Sequence, residues 1–308
     1  MPDRPRVCVV GSVHFDIMVR APYLPRIGET LIGDAWWWKP GGKGGNQAVA
    51  AAGHGALVGM IGCLGNDEFG VRMRELLDAA GVDLAEVRTV AQGSGMSVAI
   101  QEAGGDYAAV VVSGANRDLD AAQIASSAEA IRASRVLLLQ NEIAEAANAA
   151  AAHLARHAGV TVILNAAPAR ALGLLDGVVD VLVVNGVEAE MLGADGVDDL
   201  SSARAAARVL LALAPTAVVT AGAAGVAAAS GADTVSLPAH PVKRIEAHGA
   251  GDVLVGALAA RLADGAPLAE ALRYANAAAA LHVGTLAVGR DALGPADVHR
   301  LLSGATVG

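Results

Sequence analysis

Two short stretches of this 308-residue chain combine residue types that could do chemistry. The first is Gly249-Ala250-Gly251-Asp252, where a polar segment breaks and an apolar helical pattern begins. Val253, Gly256, Ala257 and Ala260 follow at i, i+3, i+4 and i+7, so the spacing predicts a helix with Asp252 in its opening turn. Unpaired N–H groups at a helix start suit phosphate oxygens, which can approach closely because Gly249 and Gly251 carry no side chains, and the helix dipole favours negative charge there. A carboxylate in the same turn is poised to accept a proton. In isolation such a turn is also an ordinary cap. The second stretch, Gly41-Gly42-Lys43-Gly44-Gly45-Asn46-Gln47, gives the first its context. It is not a Walker loop, which needs four residues between its first glycine and the Gly-Lys pair and then Ser or Thr, whereas Gly44 follows Lys43. Asn46 and Gln47 open a small-residue helix, where their side chains could hold a neutral polyhydroxylated ligand.

These residues need a frame, and the apolar runs supply one. RVCVVGSV (6–13), LVGMIGCLG (57–65), VLLLQNE (136–142), VTVILNAAPA (160–169), VDVLVVN (179–185) and TAVVTAG (216–222) read as buried strands alternating with helices, the pattern of a mostly parallel sheet covered on both faces. Ligands in such folds bind beyond the C-terminal strand ends, where Glu142, Asn165, Asn185 and Thr220 stand. Residues 15–20 and 30–38 are broken by polar residues and bounded by Pro22, Pro25, Gly28 and Gly33, as in an exposed antiparallel sheet. A hairpin over 96–112, turning at Gly104-Gly105, is expected to join them. Trp36, Trp37 and Trp38 cannot all face inward, because side chains on a strand alternate. One face of that strand must find a cover, either a substrate or a partner subunit. A single domain over 1–308 is expected, with lid segments at about 15–38 and 96–112.

Composition narrows the partners. Hydrophobic residues make up 54% of the chain and aromatics only 3%, so the core is Ala, Val and Leu. A net charge of −9 without basic blocks argues against nucleic acid. Residues 209–229 are uncharged over a membrane-spanning length, but Pro215, Gly222 and Gly225 divide them into helix, strand and turn, so no membrane association is expected. Cys8 and Cys63 lie in apolar runs, which fits buried thiols in a reducing cytoplasm. Polar residues from Met1 to Arg6 lead straight into the first strand, which predicts no signal peptide. His153 and His157 stand at i, i+4 without the Glu of a zinc motif and read as a solvated helix face.

Taken together, Gly41-Gly42-Lys43-Gly44-Gly45-Asn46, Gly249 to Asp252, Asp16 after the first strand, Asn185-x-x-Glu188 and Thr220-x-Gly222-x-x-Gly225 resemble the ribokinase family of PfkB-type carbohydrate kinases. The likeness runs nearly end to end in order and spacing. It implies a three-layer α/β sandwich with a small antiparallel β lid, and phosphorylation of a small sugar by ATP with Mg²⁺. In that likeness Asp252 is the catalytic base, and the amides of Gly249, Ala250 and Gly251 form its anion hole. Asp16, Gly42, Lys43, Asn46 and Glu142 hold the sugar. Asn185 and Glu188 organise the magnesium and phosphate waters. Thr220, Gly222 and Gly225 form the nucleotide loop, and Asn276 falls near the adenine and ribose.

Two departures from the family pattern bear on specificity. His14 replaces Asn two residues before Asp16, in the sugar-reading position, and an imidazole nitrogen donates or accepts but does not do both. Glu246-Ala247-His248 stands where the family has Asp-Thr-Thr beside a monovalent cation. Glu246 keeps the charge on a longer arm and the His248 carbonyl remains available, so the resemblance extends to K⁺ held by Glu246 and His248. The expected reaction is transfer to the terminal hydroxymethyl group of ribose or a related pentose or ketose, by a cytoplasmic homodimer joined through the lid. The alternatives are a nucleoside kinase of the same superfamily and a catalytically silent sugar-binding protein, which would need no base. A dinucleotide oxidoreductase lacks support, since no spaced glycines follow Gly11.

Overall fold

Strands form where Val, Leu and Ile run together between glycines, and helices where alanine dominates, consistent with the intrinsic preferences of those residues. The computed structural model describes residues 6–102, 107–290 and 292–304. Its strands are β1 (Arg6–Val10), β2 (His14–Ala21), β3 (Ala35–Gly41), β4 (Leu57–Gly65), β5 (Val82–Val90), β6 (Gly95–Glu102) and β7 (Tyr107–Val112). They continue as β8 (Val136–Gln140), β9 (Thr161–Asn165), β10 (Val181–Asn185), β11 (Thr216–Thr220), β12 (Gly225–Ser230) and β13 (Asp233–Pro238). The helices are α1 (Lys43–Gly53), α2 (Glu68–Ala79), α3 (Ala121–Ser126), α4 (Ala128–Arg132), α5 (Glu145–His157) and α6 (Gly186–Met191). After them come α7 (Leu200–Val209), α8 (Ala250–Ala263), α9 (Leu268–Gly284), α10 (Ala287–Arg290) and α11 (Pro295–Leu302).

Among the described residues a nine-stranded sheet runs β13-β12-β11-β10-β9-β8-β1-β4-β5, parallel from β11 to β5, with β12 and β13 added antiparallel at one edge. One core cluster joins side chains of α1, α2, α8, α9 and α11 to the sheet. A second cluster, containing residues of α3 to α7, covers the other face. The chain is therefore the expected α/β sandwich of helix, sheet and helix. Residues 209–229 divide as expected into a helix end, β11 and a turn, followed by an unexpected strand, β12, and no described helix is long and apolar enough to cross a membrane.

The small second sheet is ordered β3-β2-β6-β7. Its outer pairs are antiparallel, while the central pair β2 and β6 runs parallel, matching Asp16 with Ser97. The expected strand over 30–38 starts later, at Ala35, just after the Asp34 N–H donates to the Arg20 carbonyl at 2.9 Å, and runs on to Gly41. The expected turn at Gly104-Gly105 lies outside the described residues. Three strands escaped the sequence reading, β5 and the β12–β13 hairpin, as did the short helices α3, α4, α10 and α11.

One packing contact sets up the site. Gly256 lets α8 lie against α1 at backbone distance: a Cβ there would come within 2.6 Å of Ala50 Cβ and 2.7 Å of the Gln47 carbonyl oxygen. Close helix approach through small residues thus brings Asn46 and Gln47 of α1 beside Asp252 of α8.

Candidate active site

A cleft of about 610 Å³ opens between the C-terminal strand ends and the small sheet. Two helices begin on its wall. α1 starts after Gly42 (φ 80°) and α8 after Gly249 (φ 81°), and no side chain caps either one. The Lys43 and Gly45 N–H groups of α1 are taken by Glu142 Oε2 at 2.8 Å and the Ser12 carbonyl at 2.9 Å, and the Ala250 N–H by the Ala247 carbonyl at 3.2 Å, so the N–H groups of Gly249 and Gly251 at the start of α8 are the ones placed to meet an anion. Gly42 and Gly44 are steric necessities, since a Cβ would lie 2.7 Å from the His14 nitrogen at the first and 2.6 Å from the Ser12 nitrogen at the second. α6, by contrast, is closed by a capping box between Asn185 and Glu188.

Asp252 lies in the first turn of α8. Its Oδ2 accepts from Asn46 Nδ2 at 3.2 Å and its Oδ1 from Gln47 Nε2 at 3.0 Å. Burial pushes its carboxyl above the ordinary aspartate range; Lys43 and the Gln47 and Asn46 amides pull it back, and the Glu142 charge pushes it further up. Gln47 is fully buried, so it braces Asp252 rather than meeting a ligand as expected. Its Nε2 also reaches Asn165 Oδ1 at 3.0 Å, and its own Oε1 accepts from Gln140 Nε2 at 2.8 Å. Glu142 is likewise a brace in part: its Oε2 accepts from Ser12 Oγ at 2.5 Å and from the Lys43 N–H at 2.8 Å.

The small sheet supplies the opposite wall. Asp16 Oδ1 accepts from Ser97 Oγ at 2.6 Å. Gly41 makes room for this carboxylate, since a Cβ there would lie 2.1 Å from Asp16 Oδ2. His14 is buried, lines the cleft and leaves its Nε2 without a partner. An unsatisfied buried nitrogen costs about 1–3 kcal/mol unless a ligand meets it. Trp37 also lines the cleft, whereas Trp38 stacks on Phe15 at 4.9 Å and Trp36 remains 69% exposed. The three tryptophans thus divide between faces as strand alternation demands.

Lys43, Gly42, Asn185, Glu188, Thr220, Glu246, His248, Gly249 and Gly251 complete the wall. Burial raises the Glu188 carboxyl; the Asn185 N–H and Lys43 oppose that shift, and Asp252 adds to it. Gly222 (φ 55°) and Gly225 (φ 123°) shape the turn after β11 and stand apart from the wall, as does Ala250. Asn276 is also set back, its Nδ2 donating to the Pro238 carbonyl at 2.8 Å. Oxygens expected to hold K⁺ at Glu246 and His248 already face nitrogen: Glu246 Oε2 is paired with Arg290 Nη1 at 3.1 Å, and the His248 carbonyl lies 2.8 Å from His282 Nε2. Among the described residues no group of three His, Cys, Asp or Glu could hold a metal ion by itself.

Sequence reasoning missed the braces Ser12, Ser97 and Gln140, together with Lys39 and Arg290. Gln140 carried a readable sign, a polar residue closing an apolar run. Ser97 carried none, because only the parallel β2–β6 register puts it beside Asp16.

A carboxylate beside uncapped N–H groups, facing hydroxyl-binding side chains, is equipped to deprotonate an alcohol while an anion is held nearby. The family model described as pfkB family carbohydrate kinase matches residues 4–292. The chain belongs to this family of carbohydrate kinases. The kinase is 36% identical to the ribokinase of Bacillus subtilis over 280 residues, covering 90% of this chain and 92% of that one. It is 34% identical to the ribokinase of Haemophilus influenzae, covering 91% and 92%. The solved structure of Arabidopsis thaliana ribokinase complexed with ribose and ATP matches with a TM-score of 0.88 at 29% identity, covering 97% of this chain and 99% of that one.

Proposed function

We propose that this kinase transfers the γ-phosphoryl group of ATP to the terminal hydroxymethyl group of ribose or a closely related pentose or ketose. The observation that carries the reading is Asp252: a carboxylate in the first turn of an uncapped helix, fixed by two amides of the Lys43–Gly53 helix, in one cleft with Asp16, His14 and Lys43. Asp252 takes the hydroxyl proton, and the N–H groups of Gly249 and Gly251 receive the developing phosphoryl charge, whereas the Ala250 N–H, expected to share in this, is already donated to the Ala247 carbonyl at 3.2 Å. Asp16, His14, Gly42, Lys43 and Asn46 bind the sugar hydroxyls, and Glu142 fixes the Lys43 backbone among them. Phosphoryl transfer is mainly a problem of positioning and charge, which is what such fixed groups supply. Asn185, Thr220, Gly222 and Gly225 border the nucleotide, and Asn276 acts through Pro238.

Glu188 suits magnesium, which keeps most of its waters and takes one or two carboxylates along with substrate phosphates. Burial and Asp252 disfavour its ionised form, so a nearby divalent cation relieves that cost. When bound, Mg²⁺ would neutralise charge on the transferring phosphoryl oxygens. The exposed Trp36 and Val110 of the small sheet support a homodimer formed through the lid, and two buried free cysteines suit a cytoplasmic protein. Sedimentation should give twice the chain mass; a single-chain mass removes the dimer. The substrate is tested by ADP release over a panel of pentoses, hexoses and nucleosides. Ribose or a close relative should give the highest kcat/KM, and preference for a nucleoside would replace this reading with the nucleoside kinase one.

A further inference from the structure

We infer that Arg290 is a tethered cation that takes the place of a dissociable monovalent one, so that catalysis by this kinase is independent of K⁺. The inference rests on the phosphoryl-transfer reading and concerns the carbonyl cluster beside the start of α8. A bound K⁺ needs several oxygens converging on it to replace its water. Here those oxygens already face nitrogen donors. Arg290 Nε donates to the carbonyls of His282 and Thr285, each at 3.1 Å. Its Nη2 donates to the Glu246 carbonyl at 3.2 Å, and its Nη1 pairs with Glu246 Oε2 at 3.1 Å. The His248 carbonyl only accepts, so His282 Nε2, 2.8 Å away, carries the proton toward it.

The guanidinium does more than fill space. Its side chain is only 14% exposed, and its planar fork of donors fits several acceptors at once. The His282 and Thr285 carbonyls close the C-terminal end of α9, where the helix dipole favours a cation. The Glu246 carbonyl belongs to the loop that leads into Gly249. Arg290 therefore ties the end of α9 to the start of α8, and the Ile245 and Glu246 N–H groups reinforce the tie by donating to the Val283 carbonyl at 3.0 and 3.3 Å. A second positive charge at the same oxygens would be repelled by the first. Arg290 is thus a positioning residue, presetting the amides of Gly249 and Gly251 with a charge that cannot diffuse away.

The test measures kcat of the full chain with ribose and Mg-ATP in potassium, sodium and tetramethylammonium chlorides, at fixed ionic strength because screening alone alters rates. The wild-type rates should agree within about twofold, whereas activation by K⁺ of about fivefold or more overturns the inference. Arg290→Ala should lower kcat about 10- to 100-fold with little change in the KM for ribose, and guanidinium or K⁺ should restore part of the loss. A loss that neither cation repairs means Arg290 is merely structural. Thermal unfolding gives a readout without turnover: K⁺, relative to tetramethylammonium, should raise the Tm of Arg290→Ala and leave the wild type unmoved, and a K⁺-specific rise in the wild type contradicts the proposal. If Arg290→Ala does not fold, the two wild-type series decide alone. A wild type that turns over no sugar, yet shows no K⁺-specific rise in Tm, loses the phosphoryl-transfer reading while the tethered cation stands.

Discussion

As the proposed base, Asp252 is subject to two opposed demands. A base must be ionised to act, yet burial favours its protonated form, and the amides of Gln47 and Asn46 and the charge of Lys43 restore part of the balance. Because its pKa lies above the ordinary aspartate value, kcat/KM should fall as pH drops through that raised value. Gln47→Leu removes a donor that holds the pKa down, so its acid limb should move to higher pH. It also leaves Gln140 and Asn165 without their partner, at about 1–3 kcal/mol of stability. An acid limb that moves to lower pH in this variant would remove Gln47 from the role. Asp252 and Asn46 could be picked out in the sequence because each stands inside a compact glycine pattern. The bond between Gln47 and Asp252 could not be, because the two are 205 positions apart and nothing local marks Gln47 as a brace.

Between elements, the decisive contact is that of α1 with α8. Gly256→Val would force the helices apart at Ala50 and Gln47, costing about 1–3 kcal/mol by overpacking. It should lower kcat more than it raises the KM for sugar, because Asn46 and Gln47 would lose their seat on Asp252. Unchanged kcat would mean that this packing serves stability alone. His54, at the end of α1, lies 3.0 Å from the Tyr274 hydroxyl of α9, and burial lowers its pKa to about 4. It is neutral when folded and titrates near 6.5 when unfolded, so its contribution is complete above pH 6.5 and lost as pH falls toward 4. The loss reaches up to roughly 3 kcal/mol. His54→Gln should therefore flatten the fall in Tm over that window, and a fall as steep as the wild type's would contradict the assignment. At this scale the buried strands β1, β4 and β8 to β11 were legible because apolar runs between glycines admit few other readings. β12 was not, since GVAAAS is alanine-rich and helix-prone in isolation, and only pairing with β11 and β13 makes it a strand. β5 is an edge strand interrupted by Asp83, Glu86 and Arg88, which hides its alternation.

Over the whole molecule, the sheet brings together residues that the chain keeps far apart. Asp16 and Lys39 on the small sheet, Lys43 and Asn46 on α1, and Asp252 on α8 share one cleft with the ends of β10 and β11. That convergence was readable only through the family likeness, because neither spacing nor periodicity shows that residues 16 and 252 meet. On the proposed reading both walls hold the sugar, through Asp16 and His14 on one and Lys43 and Asn46 on the other, while proton removal falls to Asp252 alone. Sugar binding and proton removal should be separable. The most direct test is to measure ribose binding by calorimetry and ADP release by coupled assay on the wild type and on Asp252→Asn. Ribose affinity should change by less than about threefold while turnover falls about 10²- to 10⁴-fold. Turnover within about tenfold of the wild type, with ribose bound equally well, would contradict the account.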